Sequence, residues 1–218
     1  MLATGMSDSS PAAVVGVDLG GTTIKAALVG DGFRVLHRMA VPTDIRSQRA
    51  LLDAVERLVE SVAGSDAPAA VGFGLPSQID QRHGRVLDSI NVPLEEIDFK
   101  AEMSRRLGLP VEIDNDANVA CLAETRIGAA RGARHVVMLT LGTGVGGGIV
   151  LGGRVLTGEH SHGAELGHIK IEMTSPRQCG CGRWGCLEAY ASATGVVKRA
   201  REALDGYSGP TTLRELLA

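Results

Sequence analysis

Three cysteines fall within eight residues, Cys179-Gly180-Cys181-Gly182-Arg183-Trp184-Gly185-Cys186, and His168 stands eleven residues before the first of them. Three thiolates and one imidazole make a complete tetrahedral set for Zn²⁺. Four protein ligands leave no open position, so such an ion orders a loop rather than activating water. Its binding would contribute on the order of 10 kcal/mol to that ordering. His160 and His162 compete with His168 for the fourth place, and His168 is favoured. The plainer alternative is three buried thiols beside an unrelated histidine. Glu188, two residues past Cys186, would be fixed by such a knuckle.

Two glycine turns suggest a second kind of chemistry. In Asp18-Leu19-Gly20-Gly21-Thr22-Thr23-Ile24-Lys25 the two glycines let successive backbone N–H groups face an anion, because no Cβ blocks its approach. Thr22 and Thr23 add hydroxyls, and Asp18 can hold the water shell of Mg²⁺ near phosphates. An ordinary glycine-rich hairpin would read the same way. The second turn, Gly142-Thr143-Gly144-Val145-Gly146-Gly147-Gly148, contains GxGxxG. A dinucleotide site would need a helix directly afterwards, whereas Ile149-Val150-Leu151 reads as a strand. Two similar loops instead suggest the phosphates of one nucleotide held by two related domains. Asn115-Asp116 ends a strand and opens a helix, where a carboxylate can cap the helix and still face a cleft. Asp114 points to the opposite face if the strand continues.

The elements that must position these residues alternate between strands and helices. VVGVDLG, TTIKAALVG and RVLHRMAV read as three successive strands. Residues 47–64 have a helical period, with Leu51, Val55, Leu58, Val59 and Val62 on one face, Ser47 as N-cap and Gly64 as stop. AAVGFGLP is a buried strand, residues 98–108 a helix, and VEID a strand leading into a helix from Asp116 to about residue 130. HVVMLTLG and GGIVLGGRVLTG then form a strand and a hairpin, residues 187–205 a helix, and TTLRELLA the start of another. VVGVDLGGTTIKAALVG and VVMLTLGTGVGGGIVLGG share the order strand, glycine turn, strand, which is consistent with a duplicated unit.

The chain has 218 residues, and about 150 per domain allows one large domain or two small ones. We expect a disordered lead over residues 1–13, one α/β domain over 14–117 and a second, carrying the zinc loop, over 118–218. A net charge of −3 with no block of like charge excludes a tail for nucleic acid or for a membrane surface. The aromatics are one Trp, two Tyr and three Phe, too few for a base-stacking platform. The uncharged stretch over residues 136–153 is too rich in glycine for a membrane span. The lead lacks a signal peptide's basic start and apolar run, so a cytoplasmic protein is expected.

Taken in order, DLGGTTIK, the NDAN segment, LGTGVGGG, GAELGH and CGCGRWGCLEAY resemble the ROK family of bacterial sugar kinases and sugar-responsive repressors. The matching elements span residues 18–190. The resemblance implies an α/β, actin/hexokinase-like fold of two ribonuclease-H-like domains around a cleft, with a zinc-binding loop. It implies phosphorylation of a hexose by ATP with Mg²⁺, most often glucose at its 6-hydroxyl, or of N-acetylglucosamine or N-acetylmannosamine. Asp116 matches the general base that receives the proton of the attacking hydroxyl. Asn91, Asn115, Glu165, His168 and Glu188 match positions that hydrogen-bond sugar hydroxyls, so His168 would serve both zinc and sugar. Asp18, Gly20, Gly21, Thr22, Thr23 and Lys25, with Gly142, Thr143 and Gly144, match the two ATP phosphate loops. Similar proteins are usually homodimers.

Two departures from the family pattern stand out. Many members carry Pro-Gly where this chain has Pro76-Ser77, and the chain is shorter than is usual, which would leave the adenosine site incomplete. A repressor would need a helix-turn-helix before the first strand, and thirteen residues cannot supply one. A sugar-binding protein without catalysis remains the other non-enzymatic expectation.

Overall fold

The computed structural model describes residues 13–204 apart from 90, 160 and 162. The expected lead, except Ala13, and the final helix over TTLRELLA lie outside the described residues. The chain divides into two compact units, Met1–Asp116 and Ala117–Ala218.

In the first unit β1 (Val14–Leu19), β2 (Thr23–Val29) and β3 (Val35–Pro42) form an antiparallel meander. Alternate residues of β1 and β2 are buried, the period-two pattern of a sheet with one face on the core. Helix α1 (Gln48–Ala63) follows, with Leu51, Leu52, Val55, Leu58, Val59 and Val62 buried along one stripe. Burying each is worth roughly 1.5–3 kcal/mol relative to exposure. Ser47 Oγ accepts the Ala50 N–H at 3.1 Å, and Gly64 ends the helix at φ 59°. Strand β4 (Val71–Leu75) then runs parallel to β1.

A short hairpin, β5 (Gln78–Asp80) and β6 (Arg85–Asp88), is new to the reading above. Its strands are too short to show a period, and Gly84 at φ 68° closes the turn by donating its N–H to Asp80 O. Helix α2 (Phe99–Leu107) is capped by Asp98 and ends at left-handed Gly108. The Phe73 and Phe99 rings meet edge to face at 5.3 Å, seating α2 on β4. Arg106 ties α2 to α1, its guanidinium donating to Asp53 (2.7 Å), Glu56 (2.9 Å) and Glu102 (2.7 Å). Strand β7 (Val111–Asn115) pairs parallel with β4, completing a sheet of order β3-β2-β1-β4-β7.

Helix α3 (Asp116–Arg126) ends four residues short of the expected boundary near 130. Glu124 stops it: its backbone oxygen accepts the N–H groups of Gly128 and Ala130, and its carboxylate accepts that of Ala129. In the second unit β8 (Val136–Leu141), β9 (Val145–Leu151) and β10 (Arg154–Val155) form a sheet of order β10-β9-β8. Gly152 (φ 59°) and Gly153 (φ 84°) make the two-residue turn between β9 and β10 that a right-twisted hairpin favours. The apolar stretch over residues 136–153 is thus β structure, and among the described residues no helix is long and apolar enough to cross a membrane.

The helix expected over residues 187–205 is two helices, α4 (Glu188–Ala191) and α5 (Ala193–Ala203). Ser192 breaks them with extended backbone (φ −68°, ψ 158°) and its hydroxyl accepts the Gly195 N–H at 3.0 Å. A serine that caps by its side chain competes with the helical ladder.

Candidate active site

In the first unit the expected residues gather at the carboxyl ends of the parallel strands, where open α/β sheets bind ligands. Strand β1 runs into the first glycine turn, β4 into Pro76-Ser77, and β7 into Asn115-Asp116, with Leu75 paired to Asn115. The turn has three residues, Gly20, Gly21 and Thr22, and closes with the Gly20 N–H donating to Thr23 O at 3.1 Å. A Cβ on Gly20 would sit 2.8 Å from Thr23 O, so the closed turn requires glycine there. Thr43, which the sequence reading passed over, straps the turn: its hydroxyl donates to Gly20 O at 2.6 Å and its N–H to Thr22 O at 3.0 Å. Asn91 backs onto it, with its Cβ 3.1 Å from where one on Gly21 would lie.

Asp18 and Lys25 face each other across β1 and β2, with Lys25 Nζ 3.2 Å from Asp18 Oδ2 and both side chains open to solvent. An exposed carboxylate and ammonium beside a glycine turn are the groups that Mg²⁺ and a phosphate would engage. Asp116 is the exposed first residue of α3. Asp114 Oδ1 accepts Gln81 Nε2 at 2.5 Å and the Asn115 N–H at 2.6 Å. Ser77 is buried, and its hydroxyl pairs with that of Ser89, two residues before Asn91.

The second unit holds the other residues. His168, Cys179, Cys181 and Cys186 place their donor atoms within 4.8 Å of one another. Tetrahedral zinc with Zn–S bonds near 2.3 Å sets ligand-to-ligand edges of about 3.6–3.8 Å. The Cys181 and Cys186 sulfurs lie 3.8 Å apart, and Cys179 Sγ lies 3.8 Å from His168 Nδ1. The donor set therefore fits the ion, and Nδ1 is the ring atom turned to it. His160 and His162, the competing ligands, lie outside the described residues. Lys170 Nζ lies 2.9 Å from Cys186 Sγ, a cation against the thiol cluster. Burial is the main cause that pushes the Cys179 thiol up to about 12, and the neighbouring Glu188 carboxylate adds to it. Burial acts the same way on Cys181, but the Arg183 N–H and the two sulfurs outweigh it and lower that thiol.

Glu188 is the first residue of α4. Its Oε2 accepts the Val145 N–H at 3.0 Å, and its Oε1 accepts from the Cys179 thiol at 3.3 Å. The second glycine turn also has three residues, Gly142, Thr143 and Gly144, between paired Leu141 and Val145. The remaining glycines have another use. Cβ atoms on Gly146 and Gly148 would collide with Thr140, Ala117 and Cys121, and one on Gly147 would collide with Ala164 and Leu166. Bare backbone thus lets α3 pack on one face of β9 and the loop carrying Glu165 and His168 on the other. That loop is a single 3₁₀ turn, Leu166–His168, with Glu165 exposed at its start. The strand that follows GxGxxG directly removes the dinucleotide reading.

A meander running into parallel strands, with a glycine turn after its first strand and a cysteine knuckle in the second unit, defines a hexokinase-like kinase fold. The ROK family profile matches residues 14–216, and the chain belongs to the ROK family. The glucokinase of Thermotoga maritima is 41% identical over 199 residues, which are 89% of this chain and 62% of that protein. The crystal structure of a ROK family glucokinase from Streptomyces griseus in complex with glucose and AMPPNP is 36% identical. It matches with a TM-score of 0.78, over 87% of this chain and 60% of that one. An N-acetyl-D-glucosamine kinase of Salmonella arizonae is 37% identical over 193 residues, 84% of this chain and 63% of that protein. The chain spans about three fifths of the length of these relatives.

Proposed function

We propose that this chain carries the sugar-binding and phosphoryl-transfer residues of a glucokinase-type enzyme, which moves the terminal phosphoryl group of ATP to a hydroxyl of glucose. The observation that carries the reading is the gathering of the first glycine turn, Asn115 and Asp116 at the carboxyl ends of β1 and β7. Similarity to glucokinases over most of the chain supports it.

Asp116 takes the proton of the attacking hydroxyl, help typically worth about 10²–10⁴-fold in rate. By their match to the ROK pattern, Asn91, Asn115, Glu165, His168 and Glu188 would hydrogen-bond the other hydroxyls and orient the ring. Asp18, Gly20, Gly21, Thr22, Thr23 and Lys25, together with Gly142, Thr143 and Gly144, would hold the phosphates of ATP and its Mg²⁺. When bound these supply the phosphoryl group and neutralise its charge, which is most of what phosphoryl transfer requires. His168, Cys179, Cys181 and Cys186 would hold a structural Zn²⁺, leaving His168 Nε2 for a sugar hydroxyl. A thiolate at Cys179 has no proton to give Glu188, so Oε1 would then accept from the sugar instead.

The second reading is phosphorylation of N-acetylglucosamine, favoured by the Salmonella relative of nearly equal identity. ADP release with ATP and Mg²⁺ across glucose, N-acetylglucosamine, N-acetylmannosamine, mannose and fructose separates the two, with calorimetric titration of each sugar measuring binding alone. We expect glucose to give the highest kcat/KM. Asp116→Ala should lower turnover by about 10²–10⁴-fold while glucose still binds; undiminished turnover would remove Asp116 from the mechanism.

A further inference from the structure

Three hydrogen bonds run from the short segment after the knuckle to the second glycine turn, and all lie within the second unit. Glu188 Oε2 accepts the Val145 N–H at 3.0 Å, the Ala193 N–H donates to Gly142 O at 2.8 Å, and the Thr194 hydroxyl donates to Thr143 O at 3.2 Å. Gly144 leaves the room this needs, since a Cβ there would stand 2.6 Å from Glu188 Oε2. Gly142 and Thr143 are thus anchored to that segment through their backbone oxygens, Gly144 O accepts the Gly142 N–H at 3.0 Å within the turn, and the bond to Val145 closes the far side. All three anchors hang from a chain that leaves the knuckle at Cys186. The backbone is tight there, with the Ala189 N–H on Cys186 O at 3.1 Å and the Ala191 N–H on Leu187 O at 2.9 Å.

We propose that the metal knuckle and the second glycine turn form one mechanical unit, with Glu188 and Thr194 as the positioning residues that pass the order of the knuckle to the turn. Neither side chain need touch a phosphate for this. They fix where the turn's N–H groups point, and Thr194 lies outside every role assigned above. The inference rests on the proposed zinc site, because an ordered knuckle is what sets the direction of α4. A loop that frays after Cys186 lets Glu188, Ala193 and Thr194 drift together, and the turn loses its anchors at once.

Amide hydrogen exchange on the purified protein, read by mass spectrometry before and after zinc is removed with a chelator, tests this. Zinc content is measured on the same samples. Removal should speed exchange in peptides covering residues 142–145 as well as 179–188, while α1 in the first unit stays unchanged. Thr194→Val should retain zinc and still speed exchange at the turn by about three- to tenfold, the size of one lost hydrogen bond. Thr194→Ser should restore the slow rate. A zinc-loaded protein whose knuckle opens on chelation while the turn is unaffected overturns the proposal and leaves the zinc site standing. A protein with no zinc, whose knuckle peptides ignore the chelator, removes both. Equal exchange at the turn in Thr194→Val and wild type removes Thr194 from the role.

Discussion

Glu188 and Val145 are forty-three residues apart in sequence, and one carboxylate oxygen of Glu188 holds the Val145 N–H at 3.0 Å. The other oxygen lies 3.3 Å from the Cys179 thiol. A single side chain therefore spans the knuckle and the strand that follows the glycine turn, and its two oxygens have separable duties. In Glu188→Gln an amide oxygen can still accept from Val145, so thermal stability should stay close to wild type while glucose binding weakens. In Glu188→Ala both should fall, stability by about 1 kcal/mol. Differential scanning calorimetry and glucose titration read the two effects, and equal stability losses in both variants would sink the division.

Ser77 is buried, and its hydroxyl pairs with that of Ser89. Ser77→Gly should lower stability by about 1 kcal/mol by leaving the Ser89 hydroxyl without this partner. Ser89 leads into the segment carrying Asn91, so glucose affinity should fall in the same variant. Thermal unfolding and sugar titration unchanged from wild type would show that the hydroxyl pair is dispensable.

The close seat of α3 on β9 makes a sharp steric prediction. A methyl group on Gly148 would come within 2.4 Å of Cys121 Cβ and 2.9 Å of Ala117 O. Gly148→Ala should therefore cost about 1–3 kcal/mol by overpacking. Adding Cys121→Ala should give no relief, because the clash is with the Cβ that alanine keeps. Rescue by the double substitution in denaturant melts would mean the helix sits elsewhere.

Acid should loosen the first unit at the contact of α1 with α2. The hydrogen bonds from Arg105 and Arg106 hold Glu102 down to about 2, and that from Arg106 also lowers Asp53. A carboxylate lowered in the folded state adds stability above its ordinary value near 4.5, and this is lost as pH falls toward 2. Arg106→Met removes the shared partner of three carboxylates from a site where the Arg106 side chain is 15% exposed. It should cost about 1–2 kcal/mol at neutral pH and flatten the pH dependence below pH 4.5. Urea melts at several pH values measure both, and a variant with the wild-type acid slope would clear Arg106 of the effect.

Features carried by neighbours in sequence were legible before any coordinates. Helix α1 shows its stripe and both its ends because Ser47 and Gly64 act on the adjacent backbone. The cluster of His168, Cys179, Cys181 and Cys186 was legible because its three cysteines fall within eight residues of one another in sequence. The hairpin β5–β6, the break at Ser192 and the strapping of the first turn by Thr43 depend on partners brought in by the fold. Glycines 146–148 illustrate the limit best. As sequence they belong to a phosphate motif, and only packing shows that they make room for α3 and for the His168 loop.

Helix α4 has four residues, a single turn. A segment that short does not nucleate by itself, so it must acquire its shape from Cys186 on one side and the Ser192 cap on the other. With Zn²⁺ in the proposed site, binding and the shape of this corner would be linked, so its order would follow the zinc concentration around the chain.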